Sequence, residues 1–127
     1  MSISILSADA VRHALLIRDL TNPAEGPHAI SLLVAAITDA LANAWQAELR
    51  LRRKSPIVSI ADNYDRLRYP PDGAARDARY TRYVCDVALL RTQTSAMIPP
   101  LLRELSRDFV GDVVLACPGL VYRRVRD

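Results

Sequence analysis

Apolar residues recur at helical spacing through Ile30, Leu33, Val34, Ile37, Leu41, Ala44 and Trp45, which predicts an amphipathic helix over residues 28–45 with one apolar face. Gly26-Pro27 suits its start, with proline at the first helical position. At about 1.5–3 kcal/mol for each fully buried large side chain, that face would contribute on the order of 10 kcal/mol and make this helix the principal packing element. Ser7 can cap an earlier helix running to about Leu20, with Ala8, Val11, Ala14 and Leu15 on one face, before Asn22-Pro23 and Glu25-Gly26-Pro27 break it. Residues 1–25 thus read as an N-terminal helical arm within a single domain covering 1–127.

Alternation replaces helical spacing at Glu48-Leu49-Arg50-Leu51-Arg52, the pattern of a half-buried strand. Pro56-Ile57-Val58-Ser59-Ile60 predicts a second strand, which Pro56 confines to a sheet edge or a strand start. Residues 63–80 shift to Asn, Asp, Pro, Gly and Arg, the chemistry of a long turn-rich loop, and such loops are usually functional. Residues 79–86 and 87–91 read as a hairpin, and a further helix opens at Ser95 or Pro99 and runs to about Ser106. Asp112-Val113-Val114-Leu115-Ala116-Cys117 is nearly continuously apolar, as expected deep in a sheet, and after the Pro118-Gly119 bend Leu120-Val121-Tyr122-Arg123-Arg124 predicts a last strand. This order predicts an α+β fold, an antiparallel sheet with flanking helices. No Gly-rich dinucleotide or Walker-type loop is present, which argues against those ways of holding a nucleotide.

Composition adds bounds. A chain of 127 residues with 50% hydrophobic and 24% charged residues can bury one real core and is far from the composition of disorder. The net charge of +3 suits a nucleotide or RNA partner and equally an ordinary arginine-rich protein. No basic segment followed by an apolar run opens the chain, and Asp39 and Asn43 interrupt its most apolar helix, so the expectation is a cytoplasmic protein without a membrane span. Cys85 and Cys117 are expected as buried free thiols, and neither pairs with His13 or His28 at zinc-site spacing, so no metal site is expected.

Candidate chemistry gathers at Leu89-Leu90-Arg91-Thr92-Gln93-Thr94-Ser95, where two apolar residues and an arginine lead into hydroxyls and an amide. Such groups at a strand end can hydrogen-bond a small polar ligand, and they can equally be a strand followed by a helix cap at Thr94 or Ser95. Arg76 and Asp77 read as an internal ion pair that holds the long loop. Arg50, Arg52, Arg53 and Lys54 are the only basis for simple RNA binding, since charged strands also serve merely to keep a sheet soluble.

Several segments taken together resemble class II aminoacyl-tRNA synthetases of the phenylalanyl-tRNA synthetase α-subunit type. Gly26-Pro27-His28-Ala29-Ile30 resembles the family's helix start, and Pro56-Ile57-Val58 its motif one. Asn63-Tyr64-Asp65-Arg66-Leu67, Pro70-Pro71-Asp72 and Ala75-Arg76-Asp77, with Thr81 and Tyr83, resemble N-F-D-x-L…P…ARD…T-x-[FYW]. Residues 89–95 resemble L-L-R-T-H-T-S, and Cys117-Pro118-Gly119-Leu120-Val121-Tyr122-Arg123-Arg124 the start of motif two.

The resemblance implies a partial class II catalytic fold and the lineage of ATP-dependent amino-acid activation and tRNA aminoacylation, with ATP and Mg2+ as cofactors and an aromatic amino acid as substrate. It implies Arg123 as the catalytic arginine, Arg123 and Arg124 as ATP-binding, and Tyr83, Gln93, Thr94 and Ser95 as amino-acid-binding. His28, Ile30 and Pro56 would lie at an interface of a homo-oligomer or with a completing partner chain. Gln93 in place of histidine, Ile98, Leu120 and Val125 depart from the pattern and leave the amino acid open. The resemblance runs only from motif one to the start of motif two. The expectation is therefore a chain that does not aminoacylate tRNA by itself; the alternative is a non-catalytic paralogue or fragment acting as a small-molecule-binding or protein-interaction module.

Overall fold

The computed structural model describes residues 4–108 and 111–124. Its helices are α1 (Ala8–Leu15), α2 (Ala29–Trp45), α3 (Ile60–Asn63) and α4 (Ile98–Asp108), and its strands β1 (Glu48–Leu51), β2 (Ile57–Ser59), β3 (Tyr83–Cys85), β4 (Ala88–Leu90) and β5 (Val113–Ala116). The class is α+β. The strands form two sheets, a three-stranded one in the order β2-β4-β3 and a pair β1-β5.

The three-stranded sheet is antiparallel, with Leu89 opposite both Val58 and Tyr83. β2 starts immediately after Pro56 and lies at an edge, which satisfies both constraints that a proline imposes. β4 is the middle strand, and its Leu89 and Leu90 are both 0% exposed. One side chain joins a cluster with Tyr64 and Tyr83, the other a cluster with Ala14 and Tyr122. Successive residues of a strand face opposite sides, so this short strand anchors both halves of the core.

β1 and β5 depart from the expected antiparallel arrangement: they pair in parallel, with Glu48 opposite Val113 and Leu51 opposite Ala116. β5 is half-buried throughout rather than deep in a sheet. α2 packs against this pair, and Leu115 shares a hollow with Leu101 and Leu105 of α4. Residues 120–124, expected as a strand, form no ladder. Single backbone bonds tie them to the rest of the chain, Tyr122 N–H to the Arg91 carbonyl (3.0 Å) and Arg124 N–H to the Tyr80 carbonyl (3.1 Å), and side-chain bonds add to these.

The helices hold further corrections. Ser7 caps α1 by accepting from Ala10 N–H (3.2 Å), but the helix stops at Leu15, short of Leu20. The arm is integral to the core: Leu6 N–H donates to the Tyr83 carbonyl (2.8 Å), Ala14 is buried, and Tyr122 Oη donates to the Ala14 carbonyl (3.1 Å). α2 begins at Ala29, with Pro27 outside it and His28 as its cap through Nδ1, which accepts from Ile30 N–H (3.1 Å). Its buried residues are Ser31, Thr38 and Ala42, while Ile30, Leu33, Ile37, Leu41 and Trp45 are exposed. At 3.6 residues per turn the two stripes lie roughly a quarter turn apart. Small residues let α2 sit close on β1 and β5, and Thr38 spends its hydroxyl on the Val34 carbonyl (2.8 Å). Helical spacing revealed the helix but misidentified its buried side. Neither Thr94 nor Ser95 caps a helix; Gln93 precedes a 3-10 turn, Thr94–Met97, that runs into α4, and its side chain makes no cap bond. Both cysteines are free, with Cys117 half-buried and Cys85 exposed rather than buried.

Candidate functional site

The polar floor begins where β4 ends. Asn63, at the C-terminus of α3, is 0% exposed and ties that helix to the strand end. Its Oδ1 accepts from Thr92 N–H (3.1 Å), its Nδ2 donates to Thr92 Oγ1 (3.0 Å), and its carbonyl accepts from Gln93 Nε2 (2.7 Å). Thr92 Oγ1 donates onward to Gln93 Oε1 (2.6 Å). Each member is fixed by its neighbours, so the Gln93 amide is held in one orientation with one N–H and one lone pair still available.

Beside this floor opens a cleft of about 370 Å³ lined by Tyr64, Tyr69, Tyr80, Thr92, Gln93 and Arg123, with Ala74 and Ala75. The turn-rich stretch supplies the wall and is itself tightly held. Tyr64 and Tyr69 meet edge to face with centroids 5.2 Å apart, and Tyr64 Oη bonds the Ala75 carbonyl (2.8 Å) and Thr81 Oγ1 (2.5 Å). Arg76 lies over the Tyr64 ring at 5.1 Å and donates to the Pro70 (2.8 Å) and Tyr69 (2.7 Å) carbonyls. It holds the loop as expected, but its carboxylate partner is Asp65 (2.7 Å), while Asp77 pairs with Arg79 (3.0 Å). The Arg79 bond draws the Asp77 pKa below its ordinary value.

The expected site residues divide by place. Gln93 and Arg123 line the cleft together. Tyr83 stands behind it, 5% exposed, donating its hydroxyl to the Arg76 carbonyl (2.5 Å), and burial raises its pKa. Thr94 is half-buried and Ser95 exposed, and neither lines the cleft. Arg124 is exposed and donates from Nη1 to the Ala78 carbonyl (3.2 Å), so it braces the wall. His28, Ile30 and Pro56 lie away from the cleft, on α2 and before β2. Val125 is outside the described residues. Among the described residues the Arg123 guanidinium has no hydrogen bond or ion pair, leaving an exposed charged fork in a cleft with Tyr69, Tyr80 and the Gln93 amide, and with the buried Tyr64 at its back.

Such a set can bind an anionic group through Arg123, a planar apolar body against the tyrosines and a small polar group at Gln93. Sequence reasoning missed Asn63, Tyr64, Tyr69 and Tyr80 as builders of the cleft, although an asparagine and three tyrosines within a turn-rich stretch were an available signal. Among the described residues no group of three His, Cys, Asp or Glu side chains is placed to hold a metal ion.

No protein-family model matches this sequence. Curated proteins do: the phenylalanine–tRNA ligase alpha subunit of Lactiplantibacillus plantarum is 46% identical over 66 residues, 51% of this chain and 18% of that protein. Those of Limosilactobacillus reuteri and Staphylococcus carnosus are 42% identical over 66 residues and 40% over 65, again 51% of this chain and 18% of each relative. The chain thus spans about a fifth of the length of these relatives (18%), and over about half of its own it is related to phenylalanine–tRNA ligase alpha subunits.

Proposed function

We propose that the cleft is the amino-acid and ATP-phosphate portion of an amino-acid-activating site of the phenylalanine–tRNA ligase kind. The observation that carries this reading is the Arg123 guanidinium, unpaired among the described residues, which shares one cleft with the fixed Gln93 amide and the rings of Tyr64, Tyr69 and Tyr80. The relatives carry the chemistry by their name, and the cleft offers groups suited to it. An aromatic amino acid would lay its ring on the tyrosine wall, with Gln93 reaching its polar end. Arg123 would meet the phosphate oxygens of ATP, where a planar donor fork stabilises the charge of a reacting phosphoryl group. Arg124 would support it from the wall, and magnesium would arrive with the ATP phosphates. Transfer of this kind depends on positioning and charge stabilisation, which the closed Asn63-Thr92-Gln93 network and the braced loop are suited to provide. A cytoplasmic protein that meets tRNA through its whole assembly accords with this reading.

Calorimetric titration of the 127-residue chain tests it. ATP and phenylalanine should each bind, and Arg123→Ala should weaken ATP by about tenfold or more, the loss of a charge-assisted hydrogen bond. No binding of either ligand would end it. Tests of catalysis follow from the same variants: ATP–pyrophosphate exchange that depends on an amino acid and disappears in Arg123→Ala would raise the reading from a binding site to an activating one.

A second reading rests on α2. Ile30, Leu33, Ile37, Leu41 and Trp45 form an exposed apolar stripe whose only charged neighbour on the helix is Asp39. It supports an interaction module, with His28, Ile30 and Pro56 near an interface to a second copy or a completing subunit. Sedimentation as a monomer at high concentration would count against a second copy.

A further inference from the structure

Arg91 is the only charged residue among the buried ones in the described chain, at 3% exposed. Its side chain reaches from the end of β4 to two other segments. Nε donates to the Leu120 carbonyl (2.7 Å), and Nη1 donates to the Lys54 carbonyl (3.1 Å) and approaches Met97 Sδ at 3.6 Å. Its backbone adds two bonds, N–H to the Pro56 carbonyl (2.9 Å) and carbonyl to Tyr122 N–H (3.0 Å). No carboxylate of the described residues lies within ion-pair distance of it. Burial lowers its pKa, and the nearby Tyr122, Asp19 and Cys117 oppose that fall.

A buried charge without a carboxylate is costly, and an apolar side chain could fill the same volume. What an apolar side chain could not do is grip carbonyls of two separate segments at once. Gly119 shows how closely the fit is made: a Cβ there would lie 2.2 Å from Arg91 Nη2 and 3.2 Å from Cζ, so the guanidinium lies directly against the backbone at this bend. From Gly119 to Arg124 no strand ladder fixes the register of the chain, and alternate residues, Tyr122 and Arg124, donate their N–H groups inward. Neighbouring side chains here part company: Tyr122 enters the core while Arg123 lines the cleft. A slip of one residue would exchange them.

The geometry points to Arg91 as the positioning residue for Arg123: its guanidinium, seated on Gly119 and bonded to Leu120, fixes the register that turns Arg123 toward the cleft. This inference rests on the reading of Arg123 as the phosphate contact, and its test separates the two. Arg91→Lys keeps the charge and loses the fork, whereas Gly119→Ala keeps Arg91 and displaces its guanidinium. In both variants of the full chain, amide hydrogen exchange at Tyr122 and Arg124 should quicken by about tenfold or more relative to Leu90, whose N–H donates to the Arg82 carbonyl. ATP affinity should fall by the same factor as in Arg123→Ala, phenylalanine affinity should stay within about twofold, and Arg91→Lys combined with Arg123→Ala should lose no more ATP affinity than Arg123→Ala alone.

Unchanged protection at Tyr122 in both variants would overturn the assignment. So would equal quickening at Leu90, which marks a general stabiliser, or full ATP affinity in Arg91→Lys. If the unaltered chain binds no ATP, the phosphate reading of Arg123 fails instead, and the exchange comparison still decides whether Arg91 sets the register.

Discussion

The region around β4 and the region around α2 are built by opposite means. Around β4, Leu89 and Leu90 are sealed on both sides, and the polar residues that share the interior, Asn63, Thr81 and Arg91, are all hydrogen-bonded. Around α2, the helix meets β1 and β5 through Ser31, Thr38 and Ala42 and leaves its large apolar side chains outward. The first region spends its specificity inward and fixes the cleft. The second keeps apolar area in reserve, the arrangement of a surface that another chain covers. A braced polar cleft and an exposed apolar helix face thus lie in one small domain.

If the contrast is sound, substitutions near β4 should be severe and those on the α2 stripe mild. Tyr64→Ala removes a ring that is 1% exposed and a hydroxyl that ties the loop at Ala75 and Thr81; a loss of about 3–5 kcal/mol is expected from denaturant unfolding. Asn63→Ala leaves the Thr92 N–H without its partner and frees the Thr92 hydroxyl, on which Gln93 Oε1 depends, to reorient, for which about 1–3 kcal/mol is expected, with weakened ligand binding at the cleft.

Alkaline titration probes the same region. Burial raises the pKa of Tyr83 and of Tyr122, so the folded state holds their protons more tightly than the unfolded chain does. Their contribution should be complete at neutral pH and be lost as pH rises past about 10, the ordinary tyrosine value, and Tyr83→Phe should flatten that decline in an unfolding series. Smallest of all, Leu33→Ser or Ile37→Ser should change monomer stability by about 0.5 kcal/mol or less, while lowering any self-association seen by sedimentation. A large destabilisation there would mean that the stripe is packed within the chain and would erase the contrast.

Much of this architecture was legible in the residues, and the failures share a cause. Ser7 as a cap, Pro56 before an edge strand, the helix around residues 29–45 and the β3–β4 hairpin follow from local chemistry that acts over a few positions. The parallel pairing of β1 with β5 depends on contacts across more than sixty residues, which periodicity does not report. The buried side of α2 was misjudged because Ser31, Thr38 and Ala42 allow close approach by being small, and size is invisible to a count of large apolar residues. Gln93 and Arg123 were read as neighbours in function, and they do share a cleft. Tyr83 went to the core instead, and Tyr64, Tyr69 and Tyr80 took the wall, because the turn-rich stretch folds back on itself through Arg76.

The most direct measurement is a nitrogen–proton chemical-shift titration of the 127-residue chain with ATP and with phenylalanine. Shifts should concentrate at Thr92, Gln93, Tyr80 and Arg123 for both ligands, and Arg123→Ala should remove the ATP response while leaving that to phenylalanine. Shifts centred on α2 or on β1 and β5, or no response to either ligand, would contradict a cleft built to hold the two.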